Sequence, residues 1–355
     1  MPTAPRILVA PLDWGLGHAT RCVPLIRELQ RQGAAPLIGT NSRAAAYLQA
    51  EFPDLPFVPL PAYDLRYPRE NMYWNLGRQL PRLIRAVRQE HRLLQALVPR
   101  LGIQGIISDN RFGAYAPGIP CVFITHQLNL PIGFGPLRLA ADRLNHWFVR
   151  RYAECWIPDR AGEQSLAGRL ATPPPGLNCC HLGLLSRLSP LALPPTYDVL
   201  ALLSGPEPQR TRLEEALLEQ LRALPLRALV VQGKPETQYR IQAAPHLELV
   251  SFLSGGALQQ ALASARLIVC RSGYSSLMDL AAMGKKALLI PTPGQGEQVY
   301  LARRLHQRGI CPSQTQRQLQ LESGLQQAAA WPGFTGLDQV GEGISPAIQR
   351  FLARC

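Results

Sequence analysis

The sequence predicts two α/β domains, each a parallel sheet with helices on both faces, and three observations carry that expectation. Short apolar runs alternate with helical stretches along most of the 355 residues. An opening pattern of strand, loop and helix occurs at the start and again from Tyr197. Between the two lies SPLALPP, residues 189–195, a proline-rich link suited to a domain boundary. The expected division is 1–189, 196–340 and a tail, 341–355. The length agrees, since domains commonly hold about 100–200 residues.

The first half opens as RILVAPLDWGLGHATRCVPLIRELQRQG. Its run 7–12 reads as a strand, a glycine-rich turn follows, and a helix runs to Gly33. Further strand-like runs are 36–40, 57–60, 105–108, 121–125 and 155–157. The second half opens as YDVLALLSGPEPQRTRLEEALLEQL, a strand, a loop and a helix over 211–224. Runs 227–232 and 247–250 continue it.

Residues 267–309 are the most informative stretch. The run 267–270 reads as a buried strand that breaks at Arg271-Ser272-Gly273. Ser275 or Ser276 is the expected cap of a helix reaching about Met283, and Gly284 suits a left-handed C-terminal cap. A second strand, 287–290, leads through the loop 291–296 into a helix near Glu297. A strand thus meets a helix N-terminus twice. Helix starts carry unpaired N–H groups and the positive end of the dipole, so both junctions suit anions.

Composition bounds the rest. Lys and Arg number 37 against 24 Asp and Glu, a net charge of +13 that favours anionic partners. No aromatic-interleaved basic stripe or RNA-binding signature appears, so nucleic acid is not expected. The basic residues concentrate in 78–100, where Leu80, Leu83, Ile84, Val87, Leu93, Leu94 and Leu97 share a helical face. That helix reads either as a membrane-surface element or as a core-facing helix with a solvated basic back. No run of about 20 uncharged apolar residues spans a membrane, and the start lacks an export pattern. A cytoplasmic protein is expected, with the inner membrane face as an option. The eight cysteines are scattered, several in apolar runs (Cys121, Cys155, Cys270), as buried reduced thiols would be. No metal spacing stands out.

The segment 267–309 resembles the nucleotide-binding signature of the MurG-like glycosyltransferases, the family 28 C-terminal domain. The likeness lies in Arg271-Ser272-Gly273, Asp279 followed by Leu280-Ala281, Gly284, Ile290-Pro291 and Glu297-Gln298. It implies the GT-B architecture, two Rossmann-like domains with parallel sheets facing across a cleft. It implies ribose binding by Asp279, one methylene shorter than the family's usual Glu, and sugar contact by Gln298. Phe252-Leu253 match the position whose backbone meets the uracil. The tail would be the helix that returns to the first domain in GT-B enzymes. The alternative is an ordinary βαβα unit whose glycines only cap and turn.

Gly15-Leu16-Gly17-His18 invites a dinucleotide reading, but the third glycine position holds Thr20 and the expected acid is replaced by Thr40-Asn41. The resemblance accounts for it better, because MurG-like enzymes carry a glycine-rich turn and a histidine there. Gly15 and Gly17 would let the acceptor approach, and His18 would be the base, an imidazole able to take a hydroxyl proton near neutral pH. Asp109 sits where related enzymes place an acid that orients this histidine; otherwise it makes a loop turn with Arg111. His126-Gln127 correspond to a His-Glu-Gln acceptor loop, here without its Glu.

After the first strand of the second half, Ser204-Gly205-Pro206-Glu207-Pro208-Gln209-Arg210 stands where the family has a Gly-Gly-Ser type loop. Pro206 and Pro208 each remove an N–H donor, so Arg210 or Arg271 is expected to supply charge for the diphosphate, unless either is simply a surface residue. The expectation is an inverting, metal-independent transferase without a cofactor. It would move a sugar from a nucleotide sugar, UDP-GlcNAc or a similar UDP-hexose, to a hydroxyl that can be lipid-linked. Serine hydroxyls (Ser272, Ser275, Ser276) would join arginine and helix dipoles on the leaving UDP. A hydrolase using water at the same site, and a non-catalytic sugar-nucleotide or polyanion binder, are the alternatives.

Overall fold

The computed structural model describes residues 4–63, 72–131, 135–336 and 343–355, with the backbone alone for 72–79. The chain forms two compact units, Met1–Arg187 with Val340–Cys355, and Leu188–Gln339. The boundary expected at 340–341 lies outside the described residues.

The first unit contains β1 (Arg6–Pro11), α1 (Leu16–Arg31), β2 (Ala35–Thr40), α2 (Ser42–Glu51), β3 (Phe57–Pro59), α3 (Met72–Leu101), β4 (Ile103–Asp109), β5 (Cys121–Ile124), α4 (Gly135–Val149), β6 (Glu154–Ile157) and β7 (Cys179–His181). The second contains β8 (Tyr197–Leu202), α5 (Gln209–Ala223), β9 (Ala228–Val231), β10 (Arg240–Ala244), β11 (Leu247–Val250), α6 (Gly255–Ala263), β12 (Ala265–Cys270), α7 (Tyr274–Ala282), β13 (Lys286–Leu289), α8 (Gly296–Gln307) and α9 (Leu321–Ala330). Helix α10 (Ile344–Leu352) belongs to the first unit.

The first sheet has the order β3-β2-β1-β4-β5-β6-β7 and is parallel throughout. Its central strands β1, β4 and β5 are almost wholly buried, which explains their continuous Ile, Leu, Val and Phe runs. Strand β7 was not legible in the sequence because Cys179-Cys180-His181 is neither an apolar run nor an alternating one.

The second sheet has the order β10-β11-β9-β8-β12-β13. It departs from the all-parallel expectation at β10, which pairs antiparallel with β11. Only Pro245 and His246 separate these strands, far too few for a parallel crossover. The helix-cap expectation is also corrected. Helix α7 starts at Tyr274 with Gly273 as its N-cap and no side-chain capping bond, so Ser275 and Ser276 fall inside the first turn. Gly284 does adopt the left-handed conformation, with φ 61°.

Of the two readings of the basic stretch, the core-facing one describes α3. Val87, Leu94 and Leu97 are buried, and Glu90 is fully buried against Arg111 at 2.5 Å. The side chain of Arg78 lies outside the described residues.

Both sheets reverse their winding direction at one place, between β1 and β4 in the first unit and between β8 and β12 in the second. In open α/β sheets the loops leaving the carboxyl ends of strands flanking such a point form a natural ligand crevice.

Helix α10 closes the first unit. Ser345 accepts bonds from Arg31 (2.9 Å) and Gln32 (2.9 Å to its carbonyl), and the Phe351 ring meets Trp156 edge-on at 5.8 Å. Gly105 makes room for it, since a Cβ there would lie 2.6 Å from Phe351 Cζ. Truncating a buried phenylalanine leaves a cavity, so Phe351→Ala is expected to cost about 3–5 kcal/mol. Urea denaturation followed by tryptophan fluorescence reads this, because Trp156 lies under the ring.

Candidate functional site

The switch point of the first unit brings together three sequence-predicted residues. Gly15, at φ 75°, turns the chain from β1 into α1, which places His18 in the first turn of that helix. Asp109 is the last residue of β4, and His126 follows β5. The Leu12 N–H donates to the Asp109 carbonyl at 2.9 Å, so the loops after β1 and β4 are tied directly.

His18 Nδ1 lies 3.2 Å from Asp109 Oδ1. Asp109 therefore faces the histidine and does not turn locally with Arg111, which pairs with Glu90. The centre of the cluster is a residue the sequence reading overlooked, Arg21, 2% exposed and one helical turn beyond His18. Its Nε donates to Asp109 Oδ2 at 2.7 Å and its Nη2 to Oδ1, a bidentate clamp. The same Nη2 is 2.8 Å from His18 Nδ1, and Nη1 is 3.3 Å from His126 Nδ1. The signal that could have found it is spacing, since positions 18 and 21 share a helix face.

The electrostatics follow. Burial alone would raise the Asp109 carboxyl, but Arg21 and His18 overcome it and hold the group well below the usual carboxylate range. Burial and then the Arg21 charge lower the His18 imidazole, while Asp109 opposes them. His18 is thus a neutral imidazole near neutral pH. Gln127, half-buried, stands beside its neighbour His126, with Nε2 3.5 Å from the imidazole Nε2.

In the second unit the loops after β8, β12 and β13 converge. Arg271, 1% exposed at the end of β12, donates to the carbonyls of Ile290 (3.1 Å), Pro291 (3.3 Å) and Gln209 (2.8 Å) and to Gln316 Oε1 (2.7 Å). It is no surface residue. Among the described residues no carboxylate neutralises it, and burial lowers it to about 10, so it stays charged. Arg210 is not on the surface either. It is the second residue of α5, buried, and pairs with both Glu207 and Glu214 (2.6 Å). Two carboxylates therefore offset its charge.

Ser272 Oγ donates to the Gln298 carbonyl at 2.8 Å. The Gln298 side chain accepts from Thr292 N–H (2.8 Å) and donates to Gln295 (2.5 Å), so it braces the loop before α8. Gly205, at φ 107°, abuts this loop; a Cβ there would lie 3.5 Å from Thr292 Oγ1, a buried hydroxyl with no bonding partner. Gly273 caps α7, on which Ser275, Ser276 and Asp279 are half-buried, and Glu297 lies in the first turn of α8. Phe252 and Leu253, half-buried, follow β11, two strands away from β8. Among the described residues no group of three His, Cys, Asp or Glu is placed to hold a metal ion.

Comparison with known proteins fits this architecture. Residues 210–330 match the glycosyltransferase family 28 C-terminal domain. A UDP-N-acetylglucosamine–N-acetylmuramyl-(pentapeptide) pyrophosphoryl-undecaprenol N-acetylglucosamine transferase of Methylobacterium nodulans is 26% identical over 313 residues, covering 83% of this chain and 79% of that protein. Its namesake from Nitrobacter winogradskyi is 27% identical over 319 residues, covering 84% and 80%. Among solved structures, the glycotransferase of kitacinnamycin superposes with a TM-score of 0.71 at 16% identity, over 99% of this chain and 100% of that one. Acinetobacter baumannii MurG gives 0.60 at 14%, over 98% and 100%. The fold is GT-B, and the enzyme class is glycosyltransferase. Within that class the chain resembles MurG, and the residues that match the family 28 domain lie in its second unit.

Removing one member of a buried ion pair leaves the other charge uncompensated, typically at about 3–5 kcal/mol. Asp109→Asn is therefore expected to destabilise the protein by about that much. His18→Ala should cost only about 1 kcal/mol, as most substitutions do. Parallel urea melts of the two variants check the difference.

Proposed function

We propose that the enzyme transfers a sugar from a UDP-sugar, UDP-GlcNAc or a similar UDP-hexose, to a hydroxyl group with inversion, and that His18 is the base. The observation that carries this reading is the His18–Asp109 contact at the switch point of the first unit, in a chain whose other unit contains a family 28 domain. The relatives' printed names supply the donor class and a lipid-linked acceptor. The attacking hydroxyl forms the new bond to the anomeric carbon as the bond to the diphosphate breaks, and its proton passes to His18 Nε2. The α7 N-terminus with Gly273, Ser272 and Ser275, and the un-neutralised charge of Arg271, favour the departing diphosphate. Asp279, on α7, is placed to meet the ribose. Arg271 acts from beneath, because its N–H groups already hold the loop carbonyls. The Glu of the family's His-Glu-Gln loop is absent beside His126 and Gln127, so only the lipid-linked class of the acceptor, and not its identity, is carried into the proposal.

His18→Ala is expected to reduce turnover about 10²–10⁴-fold while UDP affinity stays within about twofold. Turnover with a UDP-sugar and an acceptor panel, beside calorimetric titration with UDP, checks both halves. Free sugar released at the full rate without acceptor would replace the transferase by a hydrolase. Unchanged turnover in His18→Ala would remove the base assignment.

The acceptor class makes a membrane location part of the proposal, at the inner face, and helix α4 rather than α3 is the element suited to it. Helix α4 buries two polar side chains beside Phe148 and Val149 and exposes several large apolar ones. Its buried side carries Asp142 and Asn145, which bond Leu130 N–H (2.7 Å) and the Gln127 and Leu128 carbonyls (2.8 and 3.1 Å). Its outer side exposes Leu137 (61%), Leu139 (53%), Leu144 (37%) and Trp147 (53%) beside exposed Arg143, Arg150 and Arg151. Arg151 covers the Trp147 ring at 3.8 Å. An apolar face rimmed by arginine, on a chain of net charge +13, fits an anionic lipid surface. Among the described residues no helix is long and apolar enough to cross a membrane. Co-sedimentation with phosphatidylglycerol vesicles should fall at least about tenfold in Leu144→Glu/Trp147→Glu and weaken with salt. Undiminished binding by that variant would remove α4 from the interface.

A further inference from the structure

Arg21 sets the protonation geometry of the base. A guanidinium nitrogen can only donate a hydrogen bond, and a carboxylate can only accept one. His18 Nδ1 nevertheless has both neighbours, Arg21 Nη2 at 2.8 Å and Asp109 Oδ1 at 3.2 Å. It cannot serve the two at once. If Nδ1 accepts from Arg21, the single imidazole proton sits on Nε2; if Nδ1–H donates to Asp109, Nε2 keeps its lone pair. Asp109 already accepts both prongs of the Arg21 clamp and the Cys22 thiol at 3.7 Å, and its remaining acceptor site lies farther from Nδ1 than Arg21 Nη2 does, so its claim on an imidazole proton is the weaker one.

We propose that Arg21 is a positioning residue that holds His18 in the Nε2–H tautomer in the unliganded enzyme, a form unable to take a proton from a hydroxyl. The consequence for catalysis rests on the base role proposed for His18; the tautomer itself does not. Arming the base requires Arg21 Nη2 to leave Nδ1 while Nε stays on Asp109. One proton then departs from Nε2 to water and one arrives from water at Nδ1, with no net change in charge. Water that reaches His18 in this tautomer while a donor is bound meets an N–H donor rather than a base, which disfavours wasteful hydrolysis of the donor. Burial, Arg21 from α1 and His126 from the loop after β5 disfavour the imidazolium while Asp109 from β4 favours it, so the ring is held neutral and the choice left is between its two tautomers.

The test is long-range ¹H–¹⁵N correlation NMR of the full chain with labelled histidine, the His18 signals being identified by their loss in His18→Ala. At a pH where the ring is neutral, unliganded wild type should show a protonated Nε2 and a bare Nδ1. Arg21→Gln and Arg21→Lys should both move the proton to Nδ1. In Arg21→Gln the acidic limb of kcat/KM should also rise by about one pH unit, since a nearby cation no longer opposes the imidazolium. Arg21→Lys keeps the charge and should leave that limb nearly in place, which a merely structural role would not predict. Nδ1–H in the wild type, readable even if no variant folds, overturns the proposal, as does one tautomer common to wild type and both variants. An Nε2–H wild type together with full turnover in His18→Ala would instead strike the base role and leave the tautomer standing.

Discussion

A carboxylate with no exposure to water cannot remain ionised without compensation, and the first unit is arranged around that constraint at Asp109. Arg21 supplies the compensation from α1, and in doing so fixes that helix against the end of β4. Everything proposed for the chemistry depends on this pair. It sets the height at which His18 stands above the sheet, links His18 to His126, and keeps the Asp109 charge from being a simple partner for the imidazole. The cluster is consequently a four-group network in which each proton position depends on the others.

The second unit solves the opposite problem. Its buried guanidinium, Arg271, is held by carbonyl dipoles and an amide rather than by a carboxylate, so its positive charge is not cancelled. Those bonds also gather the loops after β8, β12 and β13 at one edge of the sheet, where α7 begins. Arg210, one strand over, is paired with two carboxylates that offset its charge. The same residue type therefore plays two roles, decided by which acceptors lie within reach.

Helix α4 links surface to site. Asp142 and Asn145 on its inner face bond the backbone of residues 127–130, the segment directly after His126, while Leu137, Leu139, Leu144 and Trp147 are exposed on its outer face. The helix thereby couples an outward patch of exposed leucine, tryptophan and arginine to the backbone of the loop that follows His126.

The sequence by itself determined the alternation of strands and helices, the doubling of the α/β pattern, the Arg271–Gln298 signature and the placing of His18 after a glycine turn. These are local facts, since apolar runs, glycine turns and helix starts depend on neighbours within about one turn or strand. Strand β10 was decided by a two-residue turn that fixes its direction, and β7 by pairing alone, with no pattern of its own. Only the tertiary structure decided which acceptors each arginine met. Arg21, Arg210 and Arg271 are equivalent as letters in an arginine-rich chain, and nothing adjacent to Arg21 names Asp109, 88 residues away, as its partner. The energy of a buried charge depends on burial and on the groups folded against it, and neither is a property of the local sequence.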